Sequence, residues 1–381
     1  MAIATPLTPA AVPAPAVSGV HISTNGRDAG TMRAFVLRRP NEVAVIEKPI
    51  PTPGPNDAIV KTTAAMICTS DVHTAKGVLP VEADRTLGHE AVGTVWQLGS
   101  EVTGFAIGDR VLVNAITPCF QCEYCQRGSP SQCGGMLGGY KSTIQKDGNL
   151  AEYFHVNNAQ ANLVHIPASV SDEAALYATD MLSTGFMGAE NAGIRLGDTV
   201  AIFAQGPVGL SATIGARLLG AGRIIAVETD PKRQALSRAF GADEIVDFKK
   251  GDAVQQILDL TNGQGVDSAI EALGMPQTFE ACIRVTKPGG TISNIGYHGE
   301  VAEPLHIPLA EYGMGMSGKT IRTGLCPGGS ERMTRILRLL ESGKVDPTPM
   351  TTHRFPFSRV EQAFRLMQTK ADGVMKPLVL F

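Results

Sequence analysis

Four of the chain's seven cysteines crowd into one stretch, Cys119-x2-Cys122-x2-Cys125-x7-Cys133. Thiolates at that spacing can close a tetrahedral shell around zinc. A closed shell leaves no position for a substrate, so the predicted role is structural, pinning a loop that has little core of its own. Left free, the same thiols would expose several reactive groups together. Three other stretches carry residue types that ligate metals. Cys68 lies in Cys68-Thr69-Ser70-Asp71-Val72-His73, after a strand-like run; His89 and Glu90 lie in Gly88-His89-Glu90-Ala91-Val92-Gly93; Asp180 lies in Thr179-Asp180-Met181-Leu182-Ser183-Thr184-Gly185. Taken singly, each has an ordinary structural account: a buried thiol, a core imidazole, a helix-capping carboxylate.

A third chemistry is written in glycine. The run Thr199-Val-Ala-Ile-Phe203 ends in Ala204-Gln205-Gly206-Pro207-Val208-Gly209, a G-x-G-x-x-G turn with alanine at its first position. Gly206 lets backbone approach a pyrophosphate, and Gly209 lets the next helix pack close to the strand. Pro207 and Val208 open that helix, whose free N–H groups and positive dipole end face the phosphates. The next strand-like run ends in Glu228, 22 residues beyond Gly206, where a carboxylate accepts hydrogen bonds from an adenosine ribose diol. Its charge would repel the 2′-phosphate of NADP, with Arg233 partly offsetting it, so NAD is expected over NADP. The alternative is a tight turn followed by an ordinary surface glutamate.

These residues need elements to position them. A chain of 381 residues exceeds one ordinary core and predicts two domains. From Met32 to about Leu182, short β-type runs alternate with Gly/Pro-rich turns: Asn41 to Glu47, Ala58 to Thr63, Ala91 to Leu98, Arg110 to Val113. That texture predicts an antiparallel, barrel-like or sandwich module. Near Thr184 it changes. Buried-type strands at Thr199–Phe203, Arg223–Val227, Glu244–Asp247, Val266–Ile270 and Gly290–Ile295 alternate with helical patterns, which predicts parallel strands and crossover helices. After about Gly324 a helix near Arg332 to Ser342 and a last strand at Lys376 to Phe381 are expected to complete the first module. The predicted division is an N-terminal extension at 1–31, a first part at 32–183 with a metal lobe at about 115–135, a dinucleotide unit at 184–324, and the completion at 325–381.

Residues 1–31 are rich in Pro and Ala, with no positive charge before Arg27, which fits neither a secretory signal nor a transit peptide. They are expected to form an extension that buries too little to order itself. Reduced, metal-holding thiols in a long chain fit a cytoplasmic location. With a net charge of −3, mixed signs and no basic stripe, a nucleic-acid footprint is not expected, nor is any apolar run long enough to span a bilayer.

The motifs Cys-Thr-Ser-Asp-x-His, Gly-His-Glu-Ala-Val-Gly, Gly134-Gly-Met-Leu-Gly, Phe154-His-Val-Asn, Ala221-Gly-Arg-Ile-Ile-Ala-Val, Lys287-Pro-Gly-Gly-Thr and Gly324-Leu-Cys-Pro-Gly-Gly, with the stretch from Gly99 to Arg110, resemble the zinc-dependent medium-chain alcohol dehydrogenases. The resemblance runs from about Met32 to Phe381 and is nearest to the bacterial tetrameric secondary alcohol dehydrogenases. It implies an α/β fold with a Rossmann-type doubly wound parallel sheet and a mostly β, barrel-like (GroES-like) catalytic domain. It also implies two zinc ions per subunit. By resemblance Cys68, His89 and Asp180 hold the catalytic zinc, with Glu90 as a neighbouring carboxylate. Zinc would polarise an alcohol or carbonyl oxygen, hydride would pass to or from the dinucleotide, Ser70 and His73 would carry the proton, and Thr184 would touch the nicotinamide. Ala115, Ile116, Tyr140 and Met181 are the expected substrate lining.

Three departures from those secondary alcohol dehydrogenases stand out. They use a Gly-Ser-Arg stretch for the 2′-phosphate, where this chain has Glu228-Thr229-Asp230; they lack the four-cysteine lobe; and Tyr140 stands where a Trp lines their pocket. The expected partner is a small alcohol or ketone, in a homo-oligomer, a tetramer by resemblance. Two alternatives remain at this point: a polyol, aldehyde or formaldehyde dehydrogenase of the same superfamily, and a non-catalytic cofactor-binding protein. Retention of Ser70 and His73 beside the three ligands argues against the second, since a retired site has no need of a proton relay.

Overall fold

The structure, a computed structural model, describes residues 30–299 and 303–381. The extension expected at 1–31 falls almost entirely outside the described residues, and the first strand, Thr31–Arg39, begins as it ends.

Six parallel strands form one sheet, in the spatial order Glu244–Val246, Arg223–Val227, Thr199–Phe203, Val266–Glu271, Thr286–Asn294, Thr320–Thr323. The strands are continuous apolar runs because both faces are covered; Val200, Ala201 and Ile202 are wholly buried between helices. Strand order reverses between Thr199–Phe203 and Val266–Glu271, and a crevice at such a switch point takes the ligand in doubly wound sheets.

The second large sheet has seven strands. Its path runs Thr351–Pro356, Lys376–Leu380, Ala58–Met66, Glu90–Leu98, Arg110–Val113, Leu163–His165, with Tyr153–Val156 also paired to Ala58–Met66. Two of these strands, Thr351–Pro356 and Lys376–Leu380, lie far along the sequence from the strands they join. A small three-stranded sheet at Thr31–Arg39, Glu42–Pro49 and Arg85–Thr86 flanks it.

Register in this sheet sets up the site. Met66 pairs with Glu90 on one side and with Leu378 on the other, both antiparallel. Cys68 lies two residues past Met66, His89 one before Glu90, and Lys376 two before Leu378. Antiparallel geometry therefore brings all three to the same end of the sheet. Asp180 approaches from elsewhere, between the helices Asp172–Thr179 and Met181–Asn191. The second helix packs closely on Pro207–Leu218, and a Cβ on Gly185 would lie 2.4 Å from the Cβ of Ser211. That contact locks Asp180 to the helix that follows the glycine turn. No helix among the described residues is long and apolar enough to cross a membrane.

Candidate metal centres and dinucleotide cleft

Cys68, His89, Glu90 and Asp180 each bring one ligand atom into a group within 4.8 Å of one another. Cys68 is the N-cap of the helix Thr69–Ala75, with extended backbone that hands the chain from strand to helix. Asp71, in the first turn, ties this corner together: it accepts from the Cys68 N–H at 2.8 Å and from the Gly88 N–H at 3.1 Å. Asp180 occupies an N-cap position but makes no capping hydrogen bond. Its carboxylate instead lies 3.6 Å from His89 Nε2, as does that of Glu90. Burial pushes the Asp180 carboxyl up, yet the His89 and Thr184 contacts outweigh it and hold the group below its ordinary value.

Two carboxylates, a thiol and an imidazole converge here, and His89 and Glu90 are almost fully buried. Lys376 is the cation that meets this set directly: its Nζ lies 2.8 Å and 2.7 Å from the two oxygens of Glu90, with both side chains sealed from water. One lysine does not balance the set, and a divalent cation would. The S, N and O donors are those zinc takes, so the residues fit that ion.

The second group, Cys119, Cys122, Cys125 and Cys133, is equally convergent, with one sulfur from each within the same 4.8 Å. Among the described residues all seven cysteines are free of disulfide bonds. Backbone N–H groups aim at the sulfurs: Cys122 and Gln121 at Cys119, and Cys119 at Cys133. The Cys125 N–H, helped by the Gly134 N–H, outweighs the upward push of burial and brings the Cys122 thiol down to about 6. A thiol so tuned is ready to bind metal as thiolate. Four sulfurs with no oxygen among them are a donor set that fits a closed tetrahedral zinc shell.

At the glycine turn the alanine substituted for the first glycine keeps that glycine's conformation: Ala204 sits at φ 70°. A Cβ on Gly209 would fall 1.9 Å from the Ala204 carbonyl oxygen, which fixes glycine there. Gly206 is the N-cap of Pro207–Leu218 and has no side-chain cap, so the first N–H groups of the helix, from Val208 onward, remain for an anion. Glu228 directly follows the neighbouring strand Arg223–Val227, buried, its oxygens accepting from the Gln205, Thr229 and Asp230 N–H groups. Arg233 Nη1 stands 3.8 Å from it.

Ser70 and His73 share one face of the helix Thr69–Ala75. Ser70 Oγ is 3.4 Å from His89 Nε2, and the His73 ring lies 5.8 Å from that of Tyr297, beyond the end of Thr286–Asn294. Thr184, one turn past Asp180, donates its hydroxyl to Asp180 Oδ1 at 2.8 Å.

The expected lining residues are only partly gathered. Ile116 and Tyr140 meet in a small apolar cluster with Met187, Ile295, Leu325 and Cys326. Ala115 is adjacent in sequence and buried. Met181, at 1% exposure, packs with Tyr177, Leu182 and Met333, in a different cluster from Ile116 and Tyr140. Sequence reasoning passed over Asp71, which lay inside a quoted motif with no role given. It also passed over Leu325, Cys326 and Lys376, which only the return of the chain brings here. Lys370 was missed too; its Nζ donates to Thr69 Oγ1 at 2.7 Å, and burial lowers it to about 8.

Comparison with known proteins agrees with this geometry. Residues 54–168 match the family described as alcohol dehydrogenase GroES-like domain, and residues 207–342 the family described as zinc-binding dehydrogenase. An alcohol dehydrogenase of Cupriavidus necator is 46% identical over 91% of this chain and 97% of its own length. An NADP-dependent isopropanol dehydrogenase of Thermoanaerobacter brockii is 47% identical over 92% of this chain and 99% of its own. Among solved structures, an alcohol dehydrogenase from Thermus sp. ATN1 superposes with a TM-score of 0.83 at 32% identity, covering 92% of this chain and 99% of that one.

Proposed function

This chain belongs to the zinc-dependent alcohol dehydrogenase family, and from that premise we propose that it interconverts a small secondary alcohol and its ketone, using Cys68, His89 and Asp180 as ligands of a reactive zinc. The observation that carries the proposal is the convergence of those three residues with Glu90 inside 4.8 Å, beside Ser70 and at the head of the helix bearing Thr184. Cys68, His89 and Asp180 would hold a zinc whose Lewis acidity acts on the substrate oxygen, and a dinucleotide at the glycine turn would accept or return the hydride. The protein's own residues do the rest. Ser70 holds the alcohol proton beside the metal-facing nitrogen of His89, and His73, one turn along, takes it toward water. Thr184 steadies Asp180 and would meet the nicotinamide of a bound dinucleotide. Ile116, Tyr140, Leu325 and Cys326 offer a small, mostly apolar wall, which suits a short aliphatic alcohol better than a polyol. The Thermoanaerobacter brockii relative's name, isopropanol dehydrogenase, points the same way.

The same reading divides the chain into a catalytic part at 32–183 and 325–381 and a cofactor part at 184–324, with Cys119, Cys122, Cys125 and Cys133 holding a second, structural zinc. NAD is the proposed cofactor: Glu228 is pinned by three backbone N–H groups at the strand end, where its charge opposes a 2′-phosphate. NADP is the second reading, favoured by Arg233 beside that carboxylate and by the NADP-dependence in that relative's name. Initial rates with each dinucleotide separate them, and a higher kcat/KM with NADP ends the Glu228 argument. A homo-oligomer, tetrameric by resemblance, is supported by the exposed edge strand Thr320–Thr323 and by exposed Leu309, Met314 and Met316 nearby.

Asp180→Ala is expected to abolish 2-propanol oxidation and to release one zinc per subunit, by metal analysis. Retention of both zinc ions with full turnover removes Asp180 from the ligand set and overturns the proposal.

A further inference from the structure

Tyr140 was expected only as pocket lining, yet its phenol oxygen lies 3.0 Å from Nδ1 of His89, with the two rings edge to face at 5.2 Å between centroids and 82° between planes. We propose that Tyr140 is a positioning residue for the reactive metal: it holds the His89 ring by its outer nitrogen and so joins the substrate wall to the metal shell. The inference rests on the assignment of His89 as a zinc ligand.

The geometry settles which ring nitrogen does what. Nε2 faces Ser70 Oγ, Glu90 Oε1 and Asp180 Oδ2, at 3.4, 3.6 and 3.6 Å. That nitrogen must present a lone pair to a cation, so the single N–H of a neutral imidazole sits on Nδ1. Two oxygens compete for it: Tyr140 Oη at 3.0 Å and Asp71 Oδ1 at 3.4 Å. Each Asp71 oxygen also accepts a backbone N–H, from Cys68 or Gly88, which holds that carboxylate 3.4 Å from the ring. The phenol is the nearer acceptor and the one within ordinary hydrogen-bond length. Outer partners of a ligating histidine fix its tautomer and ring plane, and losing one typically costs about 10–100-fold in metal affinity.

Backbone holds Tyr140 in place. The Gly139 carbonyl accepts from the Thr117 N–H at 2.9 Å, the Gly139 N–H donates to Ser131 at 3.0 Å, and the Tyr140 N–H donates to Leu137 at 3.0 Å. A Cβ on Gly139 would lie 2.7 Å from Ile116 Cγ2, so the loop lies flat against the pocket wall. Tyr140 is seven residues past Cys133, at the foot of the four-cysteine lobe.

Tyr140→Phe removes the oxygen and leaves the ring. The wild type, Tyr140→Phe and His89→Ala are each loaded with metal, and zinc loss to a chromogenic chelator is timed; the visible spectrum of the cobalt-substituted enzyme gives a second readout. The expected result is that Tyr140→Phe releases one of its two metals at least about tenfold faster, with shifted cobalt bands and an unchanged second metal. Wild-type release and spectrum in Tyr140→Phe, while His89→Ala loses that metal, overturns the role of Tyr140. So does equal acceleration at both metals, which marks general loosening. If His89→Ala keeps both metals, the ligand assignment itself fails, and the inference falls with it.

Discussion

Lys376 and Glu90 meet where neither reaches water, and that makes their pairing consequential at the scale of single side chains. A buried pair adds little beyond an apolar pair of the same size, but stranding one partner costs about 3–5 kcal/mol. The carboxylate keeps Lys376 protonated against the pull of burial. Lys376→Met should therefore lower the urea midpoint by an amount equivalent to about 3–5 kcal/mol. Adding Glu90→Gln to that background should recover part of the loss rather than deepen it. Strict additivity of the two single changes, in metal-loaded and chelator-treated protein alike, contradicts the coupling. At this scale Cys68, His89 and Asp180 were singled out only through the family resemblance that their surrounding motifs carry, and the fold brings the three together. Lys376 was not, since a lysine opening an apolar strand has no local signature and owes its place to the pairing of Leu378 with Met66.

Among elements, the strand–turn–helix from Thr199 to Leu218 shows what composition reveals and what it hides. Thr199–Phe203 and Arg223–Val227 stand where their continuous apolar runs put them. The strand expected at Gly290–Ile295 instead spans Thr286–Asn294, because pairing with Val266–Glu271 starts at Thr286, breaks at an irregularity that takes up Gly289 and Gly290, and resumes at Thr291. Met181 falls in a different cluster from the other expected lining residues for a related reason: Met181–Asn191 is buried on nearly every side, so period alone cannot say which neighbour a given residue meets. The turn itself depends on Gly209. In Gly209→Ala the new methyl would stand 1.9 Å from the Ala204 carbonyl, and either the turn opens or the helix moves away from the pyrophosphate position. Titration of the reduced dinucleotide by fluorescence should show at least about a tenfold weaker Kd, about 1.4 kcal/mol, with zinc content unchanged. An unaltered Kd would mean that the cleft tolerates the shift and that the turn is not the phosphate cradle.

Over the whole molecule, the alternation of textures made the two-sheet plan legible, while the closing of one sheet by the last strand could be inferred only from a pattern that resumes. What stitches distant stretches together is in part a set of carboxylates, and these give the fold a defined response to acid. Asp57 accepts from the Asn158 N–H and meets His155, both at 3.0 Å and about a hundred residues away. Asp267 accepts from the Thr199 N–H and from Lys287 at 2.8 Å, and Glu152 accepts from the Arg33 N–H at 2.7 Å. Burial pushes all three carboxyls up, but the hydrogen bonds and cations outweigh it and leave each below its ordinary value. A depressed folded pKa means that the unfolded chain binds protons first, so stability is complete above the ordinary carboxylate range and is lost as pH falls through the folded values. The urea midpoint should stay level from about pH 8 to about pH 5.5 and drop below about pH 4.5, with the drop shallower in Asp267→Asn. Acid also protonates metal-binding thiols, so the same titration is run on chelator-treated protein, where only the carboxylate contribution survives. A midpoint there that is flat down to about pH 3, or an Asp267→Asn curve parallel to the wild type, would show that these ties do not set the acid limit.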